Sequence, residues 1–184
     1  MKNSLFLRPA VITAAVLLIP LIAMQFTSGV VWTLSDFVVM GILLFSTGTA
    51  YEFFARQTGQ LAYRGGAALA VGTCLLLTWM NLAVGIIGSE NNDVNMLYFV
   101  VPMIVFLGAV ISKLKALPLA RTMYTAATTL ALIPVIALII NRPNFSTPED
   151  YFGVLGIFIL NAFFATLLVA SGLLFKQASE TPAS

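Results

Sequence analysis

Six apolar stretches, at approximately 9–27, 36–55, 65–88, 95–112, 119–140 and 151–175, take up most of the chain and leave only short connectors. Each is close to the ~20 residues that an α-helix needs to cross the hydrocarbon core of a bilayer. Sixty per cent of the 184 residues are hydrophobic and only 9% are charged, against about 25% charged in a soluble domain. Nine basic and seven acidic residues are too few to build a water-facing surface. The expectation is therefore an all-α integral membrane six-helix bundle, a single transmembrane domain over residues 1–184, with the lipid bilayer as its solvent.

The first stretch resembles a signal peptide, because Lys2 and Arg8 precede an apolar run from Pro9 to Phe26. The run is long, however, and no small-x-small cleavage site follows Ile22-Ala23-Met24-Gln25-Phe26. It reads as an uncleaved first span.

Charge sets the expected orientation. With six spans, Lys2, Arg8, Arg56, Arg64, Lys113, Lys115, Arg121 and Lys176 fall on one side and only Arg142 on the other. The positive-inside rule places the basic side, and with it both termini, in the cytoplasm. Asp36, Glu90, Asp93, Glu149 and Asp150 fall outside. Trp32, Tyr98 and Tyr151 are expected as anchors at the outer surface, and Tyr51, Tyr63 and Tyr124 at the inner one. The basic cluster Lys113, Lys115 and Arg121 is sparse for a headgroup-binding segment. The outer helix starts carry capping signals: Thr147-Pro148-Glu149-Asp150 is the strongest, with Thr33-Leu34-Ser35-Asp36 and Asn92-Asp93 as weaker versions.

Several function classes lose support from composition. Without histidine the chain lacks the commonest haem and metal ligand and the usual general base. A single cysteine, Cys74, permits no intrachain disulfide and no cysteine-ligated cluster. No cofactor, metal site or catalytic residue is predicted, and no run of like charge points to nucleic acid.

An internal period runs through the chain. Its three aspartates, Asp36, Asp93 and Asp150, are 57 residues apart, as are Arg56 and Lys113, and Arg64 and Arg121. At twice that period Leu18-Ile19-Pro20-Leu21-Ile22-Ala23-Met24 matches Leu132-Ile133-Pro134-Val135-Ile136-Ala137-Leu138 at five of seven positions. The pattern predicts three tandem helical hairpins of about 57 residues. Regular six-span chains also have hairpins of roughly equal length, so the period admits a purely topological origin.

A short set of polar residues needs a reason to sit in or beside lipid. Asn81 stands where the other repeats carry Met24 and Leu138; it either contacts a solute or makes an interhelical hydrogen bond. Glu52 has Arg56 one turn later, which predicts an i,i+4 ion pair; a proton-coupled carboxylate is the alternative. Thr47 and Asn161 occupy matching repeat positions and form either a polar layer or helix cross-links. Pro20 and Pro134 each remove a backbone hydrogen bond near mid-membrane and are candidate kinks. The loop Gly85–Asn95 concentrates glycine, amides and two acids, so Glu90 and Asp93 are candidate outer-face contacts for a cation or polar solute. Asp36 and Asp150 are the equivalents in the other repeats, and a solvated loop with helix caps explains the same residues. Small residues at Gly66/Ala70, Ala68/Gly72, Gly108/Ser112 and Gly153/Gly156 signal close helix packing.

The stretch Trp79-Met80-Asn81-Leu82-Ala83-Val84-Gly85-Ile86-Ile87-Gly88-Ser89-Glu90-Asn91-Asn92 resembles a segment of uncharacterised small bacterial integral membrane proteins. The resemblance covers less than a fifth of the chain and implies a bacterial inner-membrane location, with no activity attached. The polar residues inside the spans favour a small-solute or ion transporter or channel, alone or as a homo-oligomer; the alternative is a non-catalytic accessory subunit, assembly factor or scaffold with a membrane-protein partner. Three aspartates converging on a metal would make a membrane enzyme, the reading with least support.

Overall fold

A computed structural model describes residues 4–89, 91–141 and 148–181. Among them the elements are helices: α1 (Ser4–Phe26), α2 (Leu34–Ala55), α3 (Leu61–Ala83), a 3-10 segment (Asp93–Phe99) leading into α4 (Val100–Ile111), α5 (Ala116–Asn141) and α6 (Pro148–Glu180). Six of the resulting segments are long and apolar enough to cross a membrane, so the chain is a polytopic all-α membrane protein.

The helix ends have local causes. Thr33 closes a capping box over α2: its N–H donates to Asp36 Oδ2 at 2.7 Å, and Asp36 N–H donates back to Thr33 Oγ1 at 3.4 Å. The third helix starts earlier and stops earlier than the predicted 65–88, because Gly85 takes a left-handed conformation (φ 69°) just beyond Val84. Such a residue ends a helix, and glycine adopts it without a Cβ penalty. The predicted span 95–112 is not a uniform α-helix. It opens as a 3-10 turn over Asp93–Phe99, capped by the Asn92 side chain, which accepts from Val94 N–H at 3.1 Å. Asp93, expected as the cap, is instead an exposed first-turn residue. Pro102 lies in the first turn of α4, where its missing N–H costs least. At 33 residues, α6 is longer than a ~30 Å core requires, and its polar last turns run beyond the apolar stretch. The side chains of Glu149, Asp150 and Tyr151, and all of Glu90, Arg142 and Thr147, lie outside the described residues.

The chain divides into two compact units, residues 1–57 and 58–184. In the first, α1 and α2 pack as a hairpin. Phe6 stacks on Phe45 with ring centroids 6.4 Å apart, and Gly48 lies so close to α1 that an added Cβ would stand 3.0 Å from Pro9 Cβ.

In the second unit the helices neighbour one another in the order α3–α6–α5–α4, with the 3-10 segment touching α3, α4 and α5. The helix pairs α1–α2 and α5–α6 pack closely. The middle pair does not: α3 packs chiefly on α6 and α4 on α5, with little direct contact between α3 and α4. The expected run of three like hairpins is therefore not confirmed at its centre, where the small residues of α3 and α4 face other partners. Gly66 and Ala70 are buried, and a Cβ on Gly66 would meet Ser171 O at 3.1 Å and the Phe175 ring at 3.2 Å. Gly108 sits directly against the Thr122 side chain, and Gly172 against the Tyr124 ring. Close backbone approach of this kind drives helix association where lipid leaves little hydrophobic gain. The Ala68/Gly72 pair and Gly153/Gly156 do not serve that role: Ala68 is exposed, and a Cβ at Gly72, Gly153 or Gly156 would meet nothing within 4 Å.

One end of this unit is tied by two long-range hydrogen bonds. Tyr63 OH donates to Leu114 O at 2.7 Å, and Gln60 Nε2 donates to Thr181 O at 3.0 Å. These bring the start of α3, the α4–α5 turn and the end of α6 together. That end carries Arg64, Lys113, Lys115, Arg121 and Lys176 and is called the basic end below.

Candidate functional site

At the opposite end of the four-helix unit, residues 84–89 and 91–95 fold around one side chain. Asn95 is buried, 4% exposed. Its Oδ1 accepts from Ile86 N–H at 3.2 Å and Ile87 N–H at 2.9 Å; its Nδ2 donates to Ile87 O at 3.2 Å and Ser89 O at 2.7 Å. Positive φ at Gly85 and Gly88 turns the loop back so that Ile86 and Ile87 bury their side chains. Those two amides and two carbonyls would otherwise be orphaned at the membrane surface, a costly state. Asn81 joins the network from α3, donating from Nδ2 to Asn95 O at 3.0 Å. Asn81 was a sequence candidate. Asn95 was not singled out, although an amide beside a Gly-Ile-Ile-Gly turn is the only local hint that its side chain could satisfy that backbone.

Deeper in the unit, Asn161 Nδ2 donates to Tyr98 OH at 2.9 Å and to Ile157 O at 2.8 Å. Tyr98 is therefore not an interfacial anchor: it is 1% exposed, because its hydroxyl finds a protein partner inside the unit instead of water. Tyr63, expected at the inner surface, is likewise buried, with its ring edge-on to Phe175 at 5.1 Å. Ser171 Oγ donates to Gly66 O at 2.7 Å across the α3–α6 contact. On α5 the hydroxyls of Thr122, Thr125, Thr128 and Thr129 each return to the carbonyl four residues back, which satisfies them within their own helix.

A cavity of about 190 Å³ lies under the loop. Ile87, Gly88 and Asn92 form its roof, and Pro134 and Leu138 of α5 with Ile157 and Phe158 of α6 form its walls. α5 runs on through Pro134, and the proline ring, with no amide to place, packs fully buried at this cavity. Among the described residues that line the cavity none is ionisable and most are apolar, a setting suited to a small apolar group. It is bounded by neither Asn81 nor Asn161.

The remaining candidates fall elsewhere. In the first unit, Glu52 lies 3.8 Å from Arg56 Nε, the predicted i,i+4 pair, and also 3.8 Å from Arg8 NH1. It thus ties the first turns of α1 to the last turn of α2. Thr47 is half-buried on α2, and α1 continues through Pro20 as far as Phe26. Asp36 is committed to its cap. Among the described residues no group of three histidine, cysteine, aspartate or glutamate side chains is placed to hold a metal ion.

Compared with family models, with curated proteins and with solved structures, the chain matches none.

Proposed function

We propose that the chain is a non-catalytic component of a bacterial inner membrane, an accessory subunit or assembly factor of a membrane complex, with both termini in the cytoplasm. The observation that carries this reading is how the intramembrane polar side chains are used. Asn81, Asn161 and Ser171 are buried and donate to Asn95 O, Tyr98 OH and Gly66 O. They cross-link helices and a loop, whereas a conducting or transporting protein needs such groups along a path. The orientation rests on the one-sided basic residues, and the bacterial setting on the Trp79–Asn92 resemblance.

One observation favours the second reading, a small-solute transporter. Oδ1 of Asn81 and of Asn161 has no hydrogen-bond partner among the described residues, and a buried acceptor left so costs about 1–3 kcal/mol. A polar solute or ion contacting those oxygens would offset that cost.

Purification in mild detergent, followed by native mass spectrometry and by flux assays in proteoliposomes, separates the two. The accessory reading expects a stoichiometric membrane-protein partner, and liposomes as tight with the wild type as with Asn161→Leu. Recovery of the chain alone, with a solute or ion flux that Asn81→Leu abolishes in a still-folded protein, would replace it with the transporter.

A further inference from the structure

The turn between α4 and α5 at the basic end is built in an unusual way. Lys113 and Leu114 both adopt positive φ, 48° and 60°, a left-handed region that non-glycine residues enter rarely. The turn is held from several sides. Leu114 N–H reaches Ala109 O at 3.2 Å and Ser112 Oγ at 3.2 Å, Ser112 Oγ donates to Ala109 O at 3.0 Å, and Tyr63 OH reaches Leu114 O. Local strain that the surroundings over-determine is a reason to ask what the turn presents.

It presents cations. Lys113 and Lys115 of the turn and Arg121 of the second turn of α5 line one cavity of about 590 Å³, together with Ser112, Thr122 and Ile111. All three basic residues are exposed, and among the described residues none of them lies within ion-pair distance of a carboxylate; the pairs present involve Arg8, Arg56 and Lys176. Helix α5 begins at Ala116, between Lys115 and Arg121, and a helix start adds partial positive charge. Three residues that look sparse along the sequence are thus gathered around one concave site.

The cavity continues into an apolar strip. Met103, Phe106, Leu107, Val110 and Ile111 of α4 are 54%, 67%, 47%, 60% and 80% exposed. They recur at three- and four-residue spacing, so they form one stripe about 12 Å long that ends at the cavity rim. A free inorganic anion would need the cations and no stripe. A phospholipid needs both.

We propose that this site binds the phosphate headgroup of an anionic phospholipid, in the leaflet that the basic end faces, with its acyl chains along the exposed face of α4. The phosphate takes Lys113, Lys115 and Arg121, and Arg121 supplies the planar fork suited to phosphate oxygens. Basic pockets between transmembrane helices are suited to such headgroups.

The test uses the purified full chain in mild detergent, titrated with phosphatidylglycerol or with phosphatidylcholine and read by native mass spectrometry. One phosphatidylglycerol should be retained in preference to phosphatidylcholine. Each cation removed should weaken it about fivefold, so Lys115→Gln with Arg121→Gln should weaken it about twenty-five-fold. Lys176→Gln, a basic residue at the same end but outside the cavity, should leave it unchanged. Millimolar inorganic phosphate should not displace the lipid. Equal retention of the two lipids, or an undiminished preference in the double variant, would overturn the proposal. So would an equal loss in Lys176→Gln, which would signal diffuse charge, or displacement by phosphate, which would assign the site to the free anion. Helix content and thermal midpoint in phosphatidylcholine nanodiscs report whether the double variant folds. If it does not, Lys113→Asn, which suits the left-handed backbone, carries the test with its own fivefold loss.

Discussion

The hairpin of residues 4–57 and the four-helix unit of residues 58–181 are built from helices of comparable length and apolarity, yet they hold together differently. In the hairpin the buried residues described are Pro9, Met40 and Phe54, and the helices are joined by the Phe6–Phe45 stack, the Gly48–Pro9 approach and the Arg8–Glu52–Arg56 ion-pair set. In the four-helix unit the buried apolar side chains run from Tyr63 to Ala178, and the buried polar ones (Thr73, Asn81, Asn95, Ser112, Asn161 and Ser171) are all found there. Hydrophobicity does not separate the two, since lipid tails are as apolar as leucine and offer helices little reason to associate. What separates them is the number of places where a small residue lets a neighbour in and a polar group finds a partner.

That contrast predicts a graded response to substitution, measured as unfolding free energy in detergent or nanodiscs by helical circular dichroism. The largest loss is expected for Asn95→Ala, which leaves the Ile86 and Ile87 amides without their acceptor; about 4 kcal/mol follows from two buried unpaired donors and the lost net hydrogen bonds. A loss below about 1 kcal/mol would mean that the loop is not part of the packed unit. Gly108→Leu comes next, at about 3 kcal/mol, because its side chain must displace Thr122 and push α4 from α5; cysteine cross-linking between those helices should fall in step. In the hairpin, Glu52→Gln should cost only about 1 kcal/mol and should be weaker still at high salt, as expected of a partly exposed ion-pair set. A larger, salt-independent loss would make Glu52 more than a tie between helix ends. Smallest of all, Gly72→Ala should stabilise by about 0.5 kcal/mol, since its site is open and alanine is the better helix former. A destabilisation there would reveal a close neighbour on that face.

The sequence candidates fared unevenly for identifiable reasons. Glu52 and Arg56 are neighbours on one helix, so their pairing was visible from spacing, while the second cation, Arg8, comes from another helix and was not. Thr33 and Asp36 lie within one turn, and their capping box was likewise a local pattern. Asn81 and Asn161 were recognisable as amides in lipid that needed partners, but Asn95 and Tyr98 as those partners were not, because each contact crosses a loop or a helix pair. Asn95 is one of three asparagines and an aspartate within five positions, and Tyr98 reads as an anchor because an aromatic near a span end usually is one. Gly66, Gly108 and Gly172 contact neighbours while Gly72, Gly153 and Gly156 do not, a distinction that spacing alone cannot draw.

By itself the sequence determined that this chain forms six long apolar helices and roughly where each begins and ends. Those properties are local: in lipid a helix satisfies its backbone within one segment, and caps, prolines and glycines act within a turn or two. Only the tertiary structure decided that α3 pairs with α6 and α4 with α5, that Asn95 holds the loop, and that Lys113, Lys115 and Arg121 surround one cavity. Those outcomes depend on which small residue meets which side chain across many residues of sequence, and helices of nearly uniform apolarity carry no single-segment signal for that choice.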